Sequence, residues 1–496
     1  MGIILVIDVG TSSMRGILYS QNGYAYKNIQ ETYSPEYIND SYVEQDPLIF
    51  KKSLISIVRQ AVEIARALAN EIIGISLTCQ RSSMIVLDYE CNPLYKAIMW
   101  QDRRTLQICE SLSLYENYIY ERTGLKISPV FLGPKISWLK QNMKEIYIKS
   151  SKIVTIADYL MCIMTNKLRT DYTYGSRTLL MNLHTLKWDS DLLRLFDIDE
   201  NKLCELVEQS CILGCITDGF SKLSGLKTGI PVISAGGDQQ CSAIGNGVIN
   251  EGDTQITTGT GSFIITSSDK PHIDCVSKVI CSVSAIPNKY ILEASILTSG
   301  TIYNWFNKNF YWTDETTDYN YDKINFDLEN SRPGSNGIIL LPHFQGSGSP
   351  NWNPKATGIF HGVSLGSERR DFSRSILEGI AAEIAENLDL LRSYVDKIDA
   401  INISGGLTKN SIFNQIQADM YGVPVKLPSD FETTALGAWA SAAKALGVYN
   451  SIPEALEYAN RDKENTVYKP ILSNIEIYND LKTNRKSIYN ALYKGN

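Results

Sequence analysis

Several stretches of this chain set a carboxylate, hydroxyls or paired glycines at the end of an apolar run, where each could handle phosphate chemistry. The first is Asp8-Val9-Gly10-Thr11-Ser12-Ser13, directly after the apolar residues 3–7. A carboxylate so placed can hold a hydrated Mg2+ while the N–H groups of the turn meet phosphate oxygens. Gly10 admits close approach to the backbone, Thr11 and Ser12 add hydroxyl donors, and Arg15 adds positive charge. An ordinary hairpin with Asx-type bonding would read the same way. Its echo, Gly259-Thr260-Gly261-Ser262, lies in the second half of the chain. A nucleotide clamped between two domains needs one such turn from each.

Asp238 is the second carboxylate. It follows the apolar stretch Pro231-Val232-Ile233-Ser234 and the pair Gly236-Gly237, and Gln239 and Gln240 come next. With no side chains on the glycines, the carboxylate can project beside two amides. It can accept a proton from a hydroxyl that Gln239 orients, or share a metal ion with Asp8. Phosphoryl transfer passes through a loose transition state, so a carboxylate of ordinary pKa suffices as base when positioned in line. The competing reading is an Asp that caps the following helix. Gly405-Gly406, between Ser404 and Asn410, can receive a flat base or a ribose against bare backbone, as can many plain loops. No Gly-x-x-x-x-Gly-Lys-Ser/Thr string occurs, which disfavours a P-loop enzyme.

The elements that must carry these groups alternate between strand and helix. Residues 3–7, 72–78, 232–235 and 401–404 read as buried strands, and residues 46–69, 372–391 and 435–446 as helices. That pattern predicts α/β domains. Both glycine-threonine turns sit between two strands, so the chain reads as two similar halves, residues 1–248 and 249–496, facing one another across a cleft. Residues 313–336 read as a surface loop and the last forty or so as a solvated helical tail.

Composition narrows the partners. The 496 residues carry a net charge of −7, which leaves no basic reserve for nucleic acid. No run approaches a membrane span, and the apolar start is broken at Asp8 before it reaches signal-peptide length. Ten cysteines without a Cys-x-x-Cys pair read as reduced thiols, and the expected location is cytoplasmic.

Taken in order and spacing, these motifs resemble the FGGY family of carbohydrate kinases. Two longer stretches are similar to its signatures: Pro134-Lys135-Ile136-x-Trp138-Leu139, and Gly358 to Val363 followed by Asp371-Phe372-x-x-Ser375-Ile376-Leu377-Glu378. The resemblance implies two actin-like, ribonuclease-H-type domains with ATP, Mg2+ and a sugar or polyol in the cleft, and a homodimer as the assembly of relatives. It implies Asp238 as catalytic base and Asp8 as organiser of Mg2+. It implies Thr11, Ser12, Arg15, Gly259 and Thr260 at the phosphates and Gly300, Gly405, Gly406 and Asn410 at the nucleotide. The sugar-binding set would be Gln80, Arg81, Trp100, Asp102 and Gln239.

The substrate is where the residues divide. Asp238-Gln239, Gln80-Arg81 and Thr260 to Phe263 are similar to glycerol kinase, yet its glutamate after the arginine is Ser82 here and its tyrosine falls at Val130. Trp100-x-Asp102-x-Arg104 is similar instead to kinases of five- and six-carbon ketoses. Smaller residues at two positions favour a longer, polyhydroxylated acceptor, so the expectation is a xylulokinase-like enzyme, with glycerol kinase as the alternative. A reading from another class is an actin-like ATP-binding regulatory module without sugar chemistry.

Overall fold

The computed structural model describes residues 2–276, 279–311, 321–429 and 432–494. Its first six-stranded sheet is ordered Cys211–Cys215, Pro231–Gly237, Glu71–Cys79, Gly2–Val9, Ser13–Ser20, Ala25–Thr32. Gly2–Val9 is buried on both faces, as its unbroken run of Ile, Leu and Val requires. It runs antiparallel to the hairpin strand Ser13–Ser20 and parallel to Glu71–Cys79, a register that sets Asp8 opposite both Arg15 and Thr78.

The second large sheet repeats this plan. Thr254–Thr258 runs antiparallel to Ser262–Ser268 and parallel to Ile401–Ser404, and Tyr290–Ile296 adds a third antiparallel strand as Ala25–Thr32 does in the first. The two glycine-bearing turns are therefore equivalent places in two equivalent sheets.

Helix Pro47–Ala67 covers one face of the first sheet; Asp46 caps it by accepting the N–H of Leu48, and Pro47 opens it without losing a needed donor. The other face is covered from far along the chain. Helix Thr433–Ala445 packs with helix Asp238–Gly245 over Ile4, Val6, Ile17 and Ile233. The two helices cross at Gly245 and Gly437, where an added Cβ would strike the backbone of the opposing helix.

Two expectations change. Residues 313–320 of the expected surface loop lie outside the described residues, but Tyr321–Glu329 is a helix, with Ile324 and Leu328 buried four residues apart. The terminal helix Leu472–Tyr493 is docked, not solvated. Tyr478, Leu481, Arg485 and Tyr489 are buried, and Arg485 reaches Glu386 at 2.7 Å and also contacts Glu383. Among the described residues no helix is long and apolar enough to cross a membrane.

Candidate active site

Two cavities lie beside the glycine-bearing turns, one drawing on both halves of the chain and one on the second half alone. One, of about 510 Å³, is lined by Thr11, Gln80, Arg81, Trp100, Asp238 and Gln239 from the first half and by Phe263 and Glu293 from the second. The other, of about 550 Å³, is lined by Gly259, Thr260, Gly300, Gly406 and Asn410 together with Tyr321 and Asn325.

Asp238 is the first residue of its helix, with Gly237 at the cap position, and its own Oδ1 accepts the N–H of Gln239 at 2.7 Å. Some 28% of the side chain faces the cavity. Surrounding protein nevertheless shields it enough that burial raises its pKa; Arg81 opposes the rise, Asp8 adds to it, and the result is about 6. The ordinary pKa expected from sequence is thus replaced by a raised one. That makes Asp238 a stronger base which is still mostly ionised at neutral pH.

Asp8 ends its strand 7% exposed, with Arg15 Nη2 at 2.5 Å from Oδ2. Arg15 also reaches Glu432 at 2.6 Å, so its guanidinium is shared between two carboxylates from distant parts of the chain. Gln80 joins the turn to the cavity. Its amide donates to the Gly10 carbonyl at 3.0 Å, and its Oε1 accepts from Thr11 at 3.4 Å. Thr11 in turn accepts from the Trp100 indole at 2.9 Å. Thr11 therefore stands on the Asp238 side, while Ser12 is exposed at the tip of the turn and lines neither cavity.

Asp102 is corrected. Its side chain is fully buried and does not reach either cavity. Arg104, two residues on, grips it with Nε and Nη2, both at 2.8 Å, and the Val43 N–H donates to it at 2.7 Å. The guanidinium sits in the corner formed by the near-perpendicular rings of Tyr42 and Trp138 and also binds Glu44. Every strong acceptor position on Asp102 is used inside the fold.

Beside the second cavity, Gly405 lies behind Gly406 with φ +97, pressed against the Thr258 backbone where a Cβ has no room. Gly300 is pressed in the same way on Gly259. Asn410 caps helix Ser411–Tyr421 through the Phe413 N–H at 3.0 Å and donates to Asn325 at 3.0 Å.

Sequence reasoning missed Glu293 and Arg177. Glu293 lies on a strand of the second sheet and receives Arg81 at 3.3 Å, Arg177 at 3.1 Å and the Ser282 hydroxyl at 3.0 Å. Burial alone would raise its carboxyl; the two arginines outweigh that and bring it down to about 2. A lone charge inside the apolar run Tyr290–Ile296 was the available signal.

Two sheets of the same plan, each with a glycine-bearing turn beside a cavity, and a carboxylate lining the cavity that draws on both halves, are the architecture of an ATP-dependent sugar kinase. The chain belongs to the FGGY family of carbohydrate kinases. Its N-terminal domain model matches residues 3–245 and its C-terminal one residues 254–446. It is 31% identical to a glycerol kinase of Alkalilimnicola ehrlichii over 99% of this chain and 98% of that one. It is 32% identical to glycerol kinase 2 of Saccharolobus solfataricus over 93% of each. Among solved structures it superposes on a gluconate kinase from Lactobacillus acidophilus with TM-score 0.90 at 27% identity, covering 99% and 98% of the two chains. A Plasmodium falciparum glycerol kinase with ADP gives 0.89 at 26%, covering 98% of each. The protein is accordingly a phosphotransferase with an alcohol as acceptor.

Proposed function

We propose that this enzyme transfers the γ-phosphoryl group of ATP to a hydroxyl of a small polyol, with Asp238 as general base. The observation that carries the reading is the Asp238 carboxylate, raised to about 6, on the wall of a cavity it shares with Gln239, Arg81 and Trp100. In that reading the hydroxyl lies between Asp238 and Gln239, and Asp238 accepts its proton as the new O–P bond forms and the bond from the γ-phosphorus to the bridging oxygen breaks, with ADP leaving. The nucleotide occupies the glycine-lined cavity, with Thr260 and Gly300 beside its phosphates and Gly406 beside its base or ribose. Closure of the lobes, residues 1–248 and 249–496, excludes water that would hydrolyse ATP.

Asp8 and Asp238 are near enough that one carboxylate raises the pKa of the other, a pair suited to Mg2+, which keeps several waters and takes one or two carboxylates. When bound there, the ion would neutralise charge on the phosphates. Asp8 would then exchange its hold on Arg15 for that role, freeing the guanidinium toward phosphate oxygens.

The curated relatives favour glycerol as acceptor over the five- or six-carbon ketose or polyol expected from sequence, an expectation that leaned on Asp102 as well as on Ser82 and Val130. A second reading keeps the longer acceptor, because Ser82 and Val130 stand in a cavity of about 510 Å³ where glycerol kinase carries larger groups. The test is ADP release with glycerol, erythritol, D- and L-xylulose, ribulose and gluconate in turn. Turnover dependent on one of these and absent in Asp238→Asn is expected. ATP consumption indifferent to all of them would overturn the reading in favour of a regulatory ATP-binding module. A cytoplasmic homodimer is proposed from the same kinship.

A further inference from the structure

Lys135 opens onto neither cavity, yet both hydrogen bonds of its ammonium end on the backbone of the acceptor cavity. It is fully buried in helix Leu132–Asn142. Nζ donates to the Ser82 carbonyl at 2.7 Å and to the Val130 carbonyl at 2.8 Å. Among the described residues no carboxylate lies within ion-pair distance of it. An ammonium buried without a directly paired carboxylate is costly, and here burial brings its pKa down to about 7, the more distant Asp102 charge opposing the fall only in part. A methionine of similar length would fill the space without that cost, so the two carbonyls are what the amine is there to hold.

Those carbonyls belong to the two segments that wall the cavity. One runs through Gln80, Arg81 and Ser82, the other through Ser128, Val130 and Phe131. Ser82 has φ +68, a left-handed backbone uncommon for a residue with a side chain, and its carbonyl is turned inward onto Nζ. Ser82 and Val130 are also the two positions where this chain carries shorter side chains than glycerol kinase. With little side chain at either place, the width of the cavity there is set by the backbone, and one amine fixes the distance between the two strips of backbone.

We infer that Lys135 is a positioning residue for acceptor specificity, bridging Ser82 and Val130 so that Arg81 and its neighbours meet one length of polyol. This rests on the reading of the Asp238 cavity as the acceptor site. Lys135 touches neither acceptor nor nucleotide, so its loss widens and loosens the acceptor wall while the glycine-lined cavity is untouched.

The experiment compares wild type, Asp238→Asn, Lys135→Met and Lys135→Gln for acceptor KM, kcat, ADP affinity and melting temperature, using whichever acceptor in the panel above the wild type phosphorylates best. Lys135→Met should raise acceptor KM at least about tenfold, the scale for loss of two buried hydrogen bonds, and flatten the ranking of acceptors, with ADP affinity unchanged. Lys135→Gln, which keeps two N–H donors on a shorter arm, should fall between, and it serves as the test if Lys135→Met does not fold. A folded variant whose acceptor KM and ranking match wild type would overturn the inference alone, as would parallel losses of acceptor and ADP binding. A wild type that turns over no acceptor would remove the kinase reading and this inference together.

Discussion

The Arg81 guanidinium stands 3.6 Å from the Asp238 carboxylate and is held at its other end by Glu293, which lies on the opposite lobe. The proposed base is thus approached by a cation that is already committed elsewhere. It feels enough positive charge to stay mostly ionised at neutral pH, but not enough to lose its basicity.

Asp238→Asn should lower kcat by several orders of magnitude and leave ADP affinity within about twofold, because the amide keeps the shape but cannot take the proton. Isothermal titration with ADP alongside single-turnover kinetics checks both halves. Near-normal turnover would discard the mechanism.

Acid should switch the enzyme off near the pKa of that base. With Asp238 at about 6, kcat/KM is expected to rise with pH through that region and then level. Stability runs the other way. A carboxyl raised above its unfolded value contributes stability that is full below the unfolded pKa and lost as pH rises through about 6. Asp238→Asn should therefore be the more stable protein at pH 7.5, by on the order of 2 kcal/mol, and gain little at pH 4. Thermal melts at the two pH values decide it.

Glu293→Gln removes the counter-charge from two confined guanidiniums. A loss of about 3 kcal/mol in stability is expected. A fall in kcat should accompany it, since Arg81 is then free to swing fully onto Asp238. A chemical-denaturation curve that matches wild type would show that the bridge contributes nothing.

Gly406 has open space around it, so a side chain there should not disturb folding. Gly406→Val is expected to melt like wild type yet bind ADP at least about tenfold more weakly, because its branches enter the nucleotide cavity. Unaltered ADP affinity would move the nucleotide elsewhere.

Asp102→Asn tests whether Asp102 lies outside the acceptor site. It should cost stability, on the order of 3 kcal/mol, by leaving Arg104 half-paired. The ranking of acceptors should stay as it was; a reordered ranking would restore Asp102 to the site.

Much of this was legible because the informative residues act locally. A β-branched run ending in Asp8 and a glycine turn dictates a buried strand and a tight turn, and the same logic put Asp238 after a strand and Gly259 to Gly261 between two strands. The duplicate sheets followed from two such turns. What escaped depended on pairing at a distance. Asp102 looked like a ligand because nothing in the string shows that Arg104 doubles back on it between Tyr42 and Trp138. Glu293 matters only because two arginines from the other lobe converge on it. The terminal helix looks polar along its length, but Tyr478, Arg485 and Tyr489 find partners on helix Arg369–Leu391 or beside it.

Helix Thr433–Ala445 lies on the sheet that begins at Gly2, and this bears on how the chain is made. A ribosome finishes that sheet long before it reaches the helix that roofs it. At ordinary synthesis rates the apolar face of Ile4, Val6 and Ile233 waits for on the order of ten seconds or more with only the short helix Asp238–Gly245 to cover it. Nascent amino-terminal halves are consequently the species most prone to clump, and a gene cut at its midpoint would yield a product that needs its missing half, supplied in trans, to stay in solution.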